Sequence, residues 1–337
     1  MRATQVEFHS FDAQGRYFPE RFSPQFDQDN LPNVREQVWT SEIDAQVKSI
    51  WETISQQFHT RFDISILSYQ PDLFIIVPLP TEADLSTRFI NYTHQLSGHI
   101  VLQEHVLNEP QLLIDTLSHE MGHFYAHRRI LESKRKGTFS SKWQSIQTGL
   151  RSSWLGRYPL QNTEPKNFRP LVFTLFDEAL NELTTTQLYK ISQHQSFDLD
   201  TQESRDQAYK DDVRLFKLLI KGLLTDAHLP HHTKEYVFQL FQEIAWGKNW
   251  AASRNEIMQL ANAAYSPDIW QAIVRITWQV PADSLSDPSN KSAKILWDMV
   301  TRPLPKGEVP PWPGALQENS TQLTKEPLNK EISVEDI

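Results

Sequence analysis

The sequence predicts an α+β protein in which a small mixed sheet with helices is followed by a mainly helical subdomain. Three observations predict it. Residues 64–69 and 73–79 are short, rich in β-branched residues and separated by a Pro71-Asp72 turn, so both read as strands. A run with apolar residues at helical spacing precedes them, and another follows at residues 108–129. Beyond Pro170 the chain carries helical patterns one after another, with no further strand signal.

Residues 1–33 are aromatic, polar and broken by Pro19, Pro24 and Pro32, which predicts an irregular arm. Residues 34–133 form the predicted α/β subdomain. Ile43, Val47, Ile50, Ile54 and Phe58 recur at steps of four and three, which places one apolar stripe on a helix over 34–60. The capping pattern at Thr81 to Asp84, followed by Leu85, Phe89 and Leu96, predicts a further helix. Residues 99–106 alternate partially and read as a half-exposed strand near the sheet edge. A helix then opens with Asn108 as N-cap and Pro110 in its first turn. It carries Leu113, Leu117, Met121 and Phe124 on one face, and Arg128 and Arg129 near its end. Residues 134–169 read as a polar connector with one short helix. Residues 170–301 form the helical subdomain, with segments near 170–191, 204–224, 233–246, 255–264, 267–280 and 292–301. Residues 302–337 hold six prolines and few apolar residues, which predicts a flexible tail.

Composition narrows the chemistry. The 337 residues include 33 Lys+Arg, 42 Asp+Glu and 12 His, for a formal charge of −9. Zero Cys excludes disulfides, iron–sulfur clusters and a thiol nucleophile, so any metal must be held by His, Asp or Glu. The acidic balance argues against nucleic-acid binding. No apolar window is long enough to span a membrane, and residues 1–9 lack signal-peptide features, so the expected location is the cytoplasm, with no membrane partner.

The chemistry-bearing motif is His119-Glu120-Met121-Gly122-His123, the pattern H-E-x-x-H, inside the helix that follows the 99–106 strand. Four residues apart on a helix, the two imidazoles emerge on one face and reach a common ion, with Glu120 beside them to take a proton from metal-activated water. A catalytic zinc site needs three protein ligands and one open position. Glu178 and Glu182, again four apart and framed by Phe173, Phe176, Leu180 and Leu183, are both candidates for the third ligand.

On these residues the chain resembles the zincin metallopeptidases, and more narrowly the gluzincins. The likeness covers about residues 34–190 and rests mainly on the two motifs. It implies a zincin-like fold and a zinc-dependent metallopeptidase that hydrolyses peptide bonds in a peptide or protein substrate. His119, His123 and Glu178 would be zinc ligands and Glu120 the general base. Asp177-Glu178-Ala179 is similar to the family's Asn/Asp-Glu-Gly/Ala pattern, and Glu182 matches the carboxylate that hydrogen-bonds a ligand histidine. The interval from His123 to Glu178 is 178 − 123 = 55 residues, which suits an insertion at 134–169. The resemblance also implies an oxyanion donor, for which Tyr189, Tyr209, His228, His231 and His232 are candidates, and a substrate paired along the 99–106 strand.

Departures set bounds. The third histidine of metzincins would fall at Arg129, His127 reads as a surface residue, and no G-x-M-E-N-like element points to the aminopeptidase branch. Lys134-Arg135-Lys136 reads as a solvated loop, and His228, His231 and His232 as a turn between helices. Trp312 is a candidate docking residue within the tail. Two rivals are a non-catalytic zincin-fold protein that holds a partner in its cleft, against which the intact Glu120 speaks, and a structural zinc site, against which the open coordination position speaks.

Overall fold

A computed structural model describes residues 4–6, 33–78, 92–93, 99–126, 128–134, 142–155, 173–205, 209–225, 232–277, 280 and 284–315. The architecture is helix-rich α+β. A short helix α1 (Arg35–Val38) leads into α2 (Ser41–Phe62), whose first turn is capped by the Thr40 hydroxyl accepting from Ile43 N–H. Asp63 ends α2 in the left-handed region at φ 54°, its N–H donating to His59 O. The buried stripe is Val47, Trp51, Ile54, Phe58 and Phe62. It is rotated from the expected one because the large indole of Trp51 takes the core position and leaves Ile43 and Ile50 only partly covered.

The expected strand at 64–69 does not form. Its carbonyls instead meet side chains of α2, with Trp51 Nε1 donating to Leu67 O and His59 Nδ1 lying 2.7 Å from Ile64 O. The second expected strand is β2 (Phe74–Val77), and β3 (Tyr92–Thr93) and β4 (Ile100–Gln103) complete a mixed sheet of order β2-β4-β3. β4 runs parallel to β2, with Phe74 opposite Ile100, and antiparallel to β3, with Thr93 opposite Ile100. β4 is therefore central, not an edge. Ile100 and Leu102 enter the main core, while Val101 packs with Ile75 and Val77 on the other face. Polar residues at its two ends mimic the pattern of a half-exposed strand. Of the helix expected after Thr81, only residues 92–93 are described, and they are strand.

The motif helix α3 (Pro110–Tyr125) starts one residue later than expected. Glu109 is its cap residue, and Asn108 belongs to the preceding 3-10 turn, Glu104–Asn108. Arg128 and Arg129 lie beyond the helix in β5 (Arg128–Lys134), which joins β1 (Thr4–Val6), β6 (Lys142–Thr148) and β7 (Arg151–Leu155) in an antiparallel sheet of order β1-β5-β6-β7. Within the expected connector, residues 134 and 142–155 are strands and a turn, with the rest of it outside the described residues, and β1 gives the N-terminal arm a paired segment. Ser, Gln and Lys dilute the strand signal of β6 and β7, and Gly149, at φ 57°, supplies the tight turn between them.

The helical part comprises α4 (Thr174–Ser192), α5 (Lys210–Leu223), α6 (Lys234–Trp246), α7 (Trp250–Ile276) and α8 (Lys291–Thr301). Thr233 caps α6, and Asn290 caps α8 by accepting from Ala293 N–H. The two segments expected at 255–264 and 267–280 are continuous except for a kink at Ser266 (φ 62°, ψ 155°), the residue whose α conformation is disfavoured by Pro267. α4 is buried throughout its first three turns, residues 175–186. The tail expectation fails for residues 302–315: Leu304 and Trp312 are buried, and Trp312 Nε1 donates to Leu285 O at 2.9 Å. Residues 316–337 lie outside the described residues. One contiguous apolar cluster runs from Val47 to Trp312, through α2, α3, α4 and the later helices. Among the described residues no helix is long and apolar enough to cross a membrane.

Candidate metal centre

α3 is held on three sides before its polar residues are considered. Trp51 of α2 meets Phe124 edge-on, Phe58 stacks on Tyr125, and the Tyr125 hydroxyl donates to Ser55 Oγ at 2.7 Å. From α6, Trp246 Nε1 donates 2.8 Å to Gly122 O, inside the motif itself. On the remaining side lies α4. A Cβ at Gly122 would stand 1.8 Å from Asn181 Oδ1, so the glycine is what lets α4 approach. Asn181 Nδ2 donates to His119 O at 2.7 Å and fixes the two helices in register.

That register brings three donors together. His119 Nε2 lies 3.0 Å and His123 Nε2 2.8 Å from Glu178 Oε2, and the two Nε2 atoms are 3.2 Å apart. All three residues are buried, and their group could hold a metal ion. Tetrahedral coordination with bonds of about 2.0–2.1 Å separates neighbouring donors by about 3.3 Å, close to the edges of this triangle. Glu178, not Glu182, faces the histidine pair directly.

The other nitrogen of each imidazole faces a second carboxylate. His119 Nδ1 is 3.4 Å from Glu182 Oε2, and His123 Nδ1 is 3.5 Å from Asp177 Oδ2. A proton on Nδ1 leaves the Nε2 lone pairs aimed at one another and at the Glu178 carboxylate, an arrangement that asks for a cation between them. Four buried carboxylates, Glu120, Asp177, Glu178 and Glu182, gather around these two rings. Burial alone would lower the His119 pKa. Hydrogen bonds to Glu178 and Glu182, with the charges of Glu178 and Glu120, override it and push the imidazole up to about 10. Burial would raise Glu182, but its hydrogen bond to His119 and the charges of His119 and Arg205 bring it down to about 2.

Both orienting carboxylates are themselves gripped by backbone. Leu150 N–H, in the turn between β6 and β7, donates to Asp177 Oδ1 at 2.7 Å. Arg205 N–H donates to Glu182 Oε1 at 2.8 Å, and the Ser204 hydroxyl lies 3.3 Å from the same oxygen. The guanidinium of Arg205 reaches Asp115 of α3 at 2.6 Å and the Thr185 hydroxyl of α4 at 3.4 Å. Glu120 is buried on the side towards the small sheet. The Thr93 hydroxyl stands 2.9 Å from its Oε2 and 2.8 Å from its carbonyl oxygen, and donates to one at a time. Burial pushes the Glu120 carboxyl above its ordinary value, with His119 and His123 pulling the other way.

Of the residues considered as oxyanion donors, Tyr209 comes to the site, its ring stacked on His119 with centroids 5.1 Å apart and planes at 9°. Tyr189 lies under the Arg205 guanidinium, and His232 pairs with Glu256 at 2.9 Å. His127, His228 and His231 lie outside the described residues, as do Arg135 and Lys136 of the basic stretch. Sequence reading missed Thr93, Asn181 and Arg205 as parts of the site, and gave Asp177 no role beyond its place in the motif. Asp177, Glu178, Asn181 and Glu182 do leave a trace, since four polar residues at positions i, i+1, i+4 and i+5 interrupt an otherwise apolar helix face. Comparison with protein-family models, curated proteins and solved structures returns no match.

Proposed function

We propose that this protein is a zinc-dependent metallopeptidase of zincin type, with His119, His123 and Glu178 as metal ligands and Glu120 as general base. The observation that carries the reading is the buried triangle of two Nε2 atoms and one carboxylate oxygen, with edges of 2.8–3.2 Å, beside a buried carboxylate that is not part of it. The donor chemistry fits zinc: two neutral imidazoles and one carboxylate, each imidazole backed by a further carboxylate. When bound, zinc would supply Lewis-acid polarisation of a carbonyl and acidify water at the open position. Glu120, held by Thr93 and poised above the ordinary carboxylate range by burial, accepts a proton and returns it to the leaving nitrogen. Glu182 keeps the His119 Nδ1 proton in place, and the Asp177 charge 3.5 Å from His123 Nδ1 favours a proton there. Tyr209, stacked on His119, is the candidate donor to a developing oxyanion. A peptide substrate would pair along β3, the sheet edge next to Glu120 among the described residues, since β4 has a neighbour on each side. The chemistry requires no membrane or nucleic-acid partner and is compatible with a cytoplasmic location.

The test uses two samples of the full chain. Elemental analysis should return about one zinc per chain for wild type and for Glu120→Gln alike, and only wild type should cleave a peptide library. Absence of stoichiometric metal from both sinks the metal-centre reading. Metal in both with cleavage by neither sinks the peptidase and leaves a zincin-like binding protein.

A further inference from the structure

Among the residues around the site, Arg205 touches both ligand-bearing helices and is not required by the motif chemistry. Its guanidinium meets Asp115, which lies one turn before His119 on α3. The same side chain reaches Thr185 on α4, one turn beyond Asn181, and its Nε lies 3.9 Å from Glu182 Oε1. Its own backbone N–H donates to that oxygen. The Arg205 side chain is 19% exposed and that of Asp115 31%, so their hydrogen bond is partly shielded from water, and a charge-assisted bond so placed is stronger than a fully exposed pair.

We propose that Arg205 is a positioning residue for the metal centre: it clasps α3 to α4 at the His119 end and fixes Glu182 so that His119 presents Nε2 to the ion. The proposal rests on the metal-centre reading above. Arg205 reaches the ion through two links, Glu182 and then Nδ1 of His119, and through the distance between α3 and α4, which sets how closely Glu178 meets the histidine pair. Removing the guanidinium takes the cation away from Asp115, leaving it the Gln111 amide, and leaves Glu182 only the Arg205 N–H, the Ser204 hydroxyl and His119 to hold it. His119 then samples orientations that do not face Glu178. A Lys in its place carries charge but cannot hold Asp115 of α3 and the Thr185 hydroxyl of α4 at once in a fixed plane.

The experiment measures zinc affinity by chelator competition on full-length wild type, Arg205→Ala, Arg205→Lys and Asp115→Asn, each checked for helix content by circular dichroism. It also follows the His119 ring nitrogens by NMR. Arg205→Ala is expected to weaken zinc binding by about 10–100-fold, the usual cost of losing an orienting group around a metal ligand, with Arg205→Lys and Asp115→Asn between it and wild type. The His119 Nδ1–H signal should be that of a single tautomer in wild type and of a mixture in Arg205→Ala. Arg205→Lys, which keeps the bulk and charge, provides the test if Arg205→Ala fails to fold. Equal affinity and an unchanged His119 tautomer across folded variants overturn the positioning role while leaving the metal centre standing. Failure of wild type to bind zinc overturns the metal centre itself.

Discussion

Gly122 shows how one absent side chain organises the site. It sits between the ligands in the motif, its carbonyl accepts from Trp246, and a Cβ there would lie 1.8 Å from Asn181 Oδ1 and 3.2 Å from a Thr185 carbon. Helix propensity alone favours Ala at this position by about 1 kcal/mol. The contact with α4 reverses the sign. Gly122→Ala is therefore expected to destabilise the protein by about 1–3 kcal/mol, the range for overpacking a buried helix contact, and to weaken metal binding because Asn181 can no longer hold His119 O. Urea denaturation and chelator titration check the two effects. A stabilised Gly122→Ala variant would show that α3 and α4 are further apart than described. The same logic separates Glu178 from Glu182. Four residues apart on α4, they are equivalent candidates by spacing, and only the register imposed at Gly122 and Asn181 turns Glu178 to the Nε2 atoms and Glu182 to Nδ1.

At the scale of elements, α2 and the chain that follows it illustrate where pattern runs short. Asp44 accepts from Tyr69 Oη at 2.7 Å and from Trp39 Nε1 at 2.9 Å, tying the start of α2 to the irregular segment before β2. Those two hydrogen bonds hold the Asp44 carboxyl below its ordinary value. A carboxyl depressed in the folded state adds stability above its unfolded pKa and loses it as pH falls through the folded one. Asp44→Asn should therefore flatten the acid limb of a melting-temperature profile below about pH 4. Parallel profiles for the two proteins would remove Asp44 from acid unfolding. Helices α2, α4, α6 and α8 are legible because each has a long apolar stripe and a clear boundary, such as Thr233 before α6. The segment at 64–69 is not, since whether β-branched residues pair depends on a neighbour, and here α2 side chains take its carbonyls. β6 and β7 are hidden for the opposite reason. Their pairing is carried by a backbone ladder and a glycine turn, with little apolar pattern to reveal it. The histidine pair and Glu120 need only helical spacing to be found, whereas Thr93 and Arg205 are brought in by chain contacts 27 and 23 residues away.

For the whole molecule, the decisive feature is that α3 and α4 share one apolar cluster with the later helices and with Trp312, so the candidate metal centre lies within that core and not on an appendage. A ligand that binds only the folded state stabilises it by RT ln(1 + [L]/Kd), about 2.7 kcal/mol at a hundredfold excess over Kd. Zinc joining His119 and His123 of α3 to Glu178 of α4 should therefore raise the melting temperature of the entire chain, by several degrees at that excess. Glu120→Gln should show the same rise, because Glu120 is outside the donor triangle, while Glu178→Ala should lose most of it. Scanning calorimetry with and without zinc, paired with near-ultraviolet circular dichroism of the tryptophans, reads this directly. Trp51 beside α3, Trp246 at Gly122 and Trp312 against Leu285 report from separate parts of the cluster. A common shift of all signals is expected from one cooperative core. A zinc-induced shift confined to part of the transition would mean that the helices after α4 unfold independently of the site, and the continuity of the core would then carry no energetic coupling.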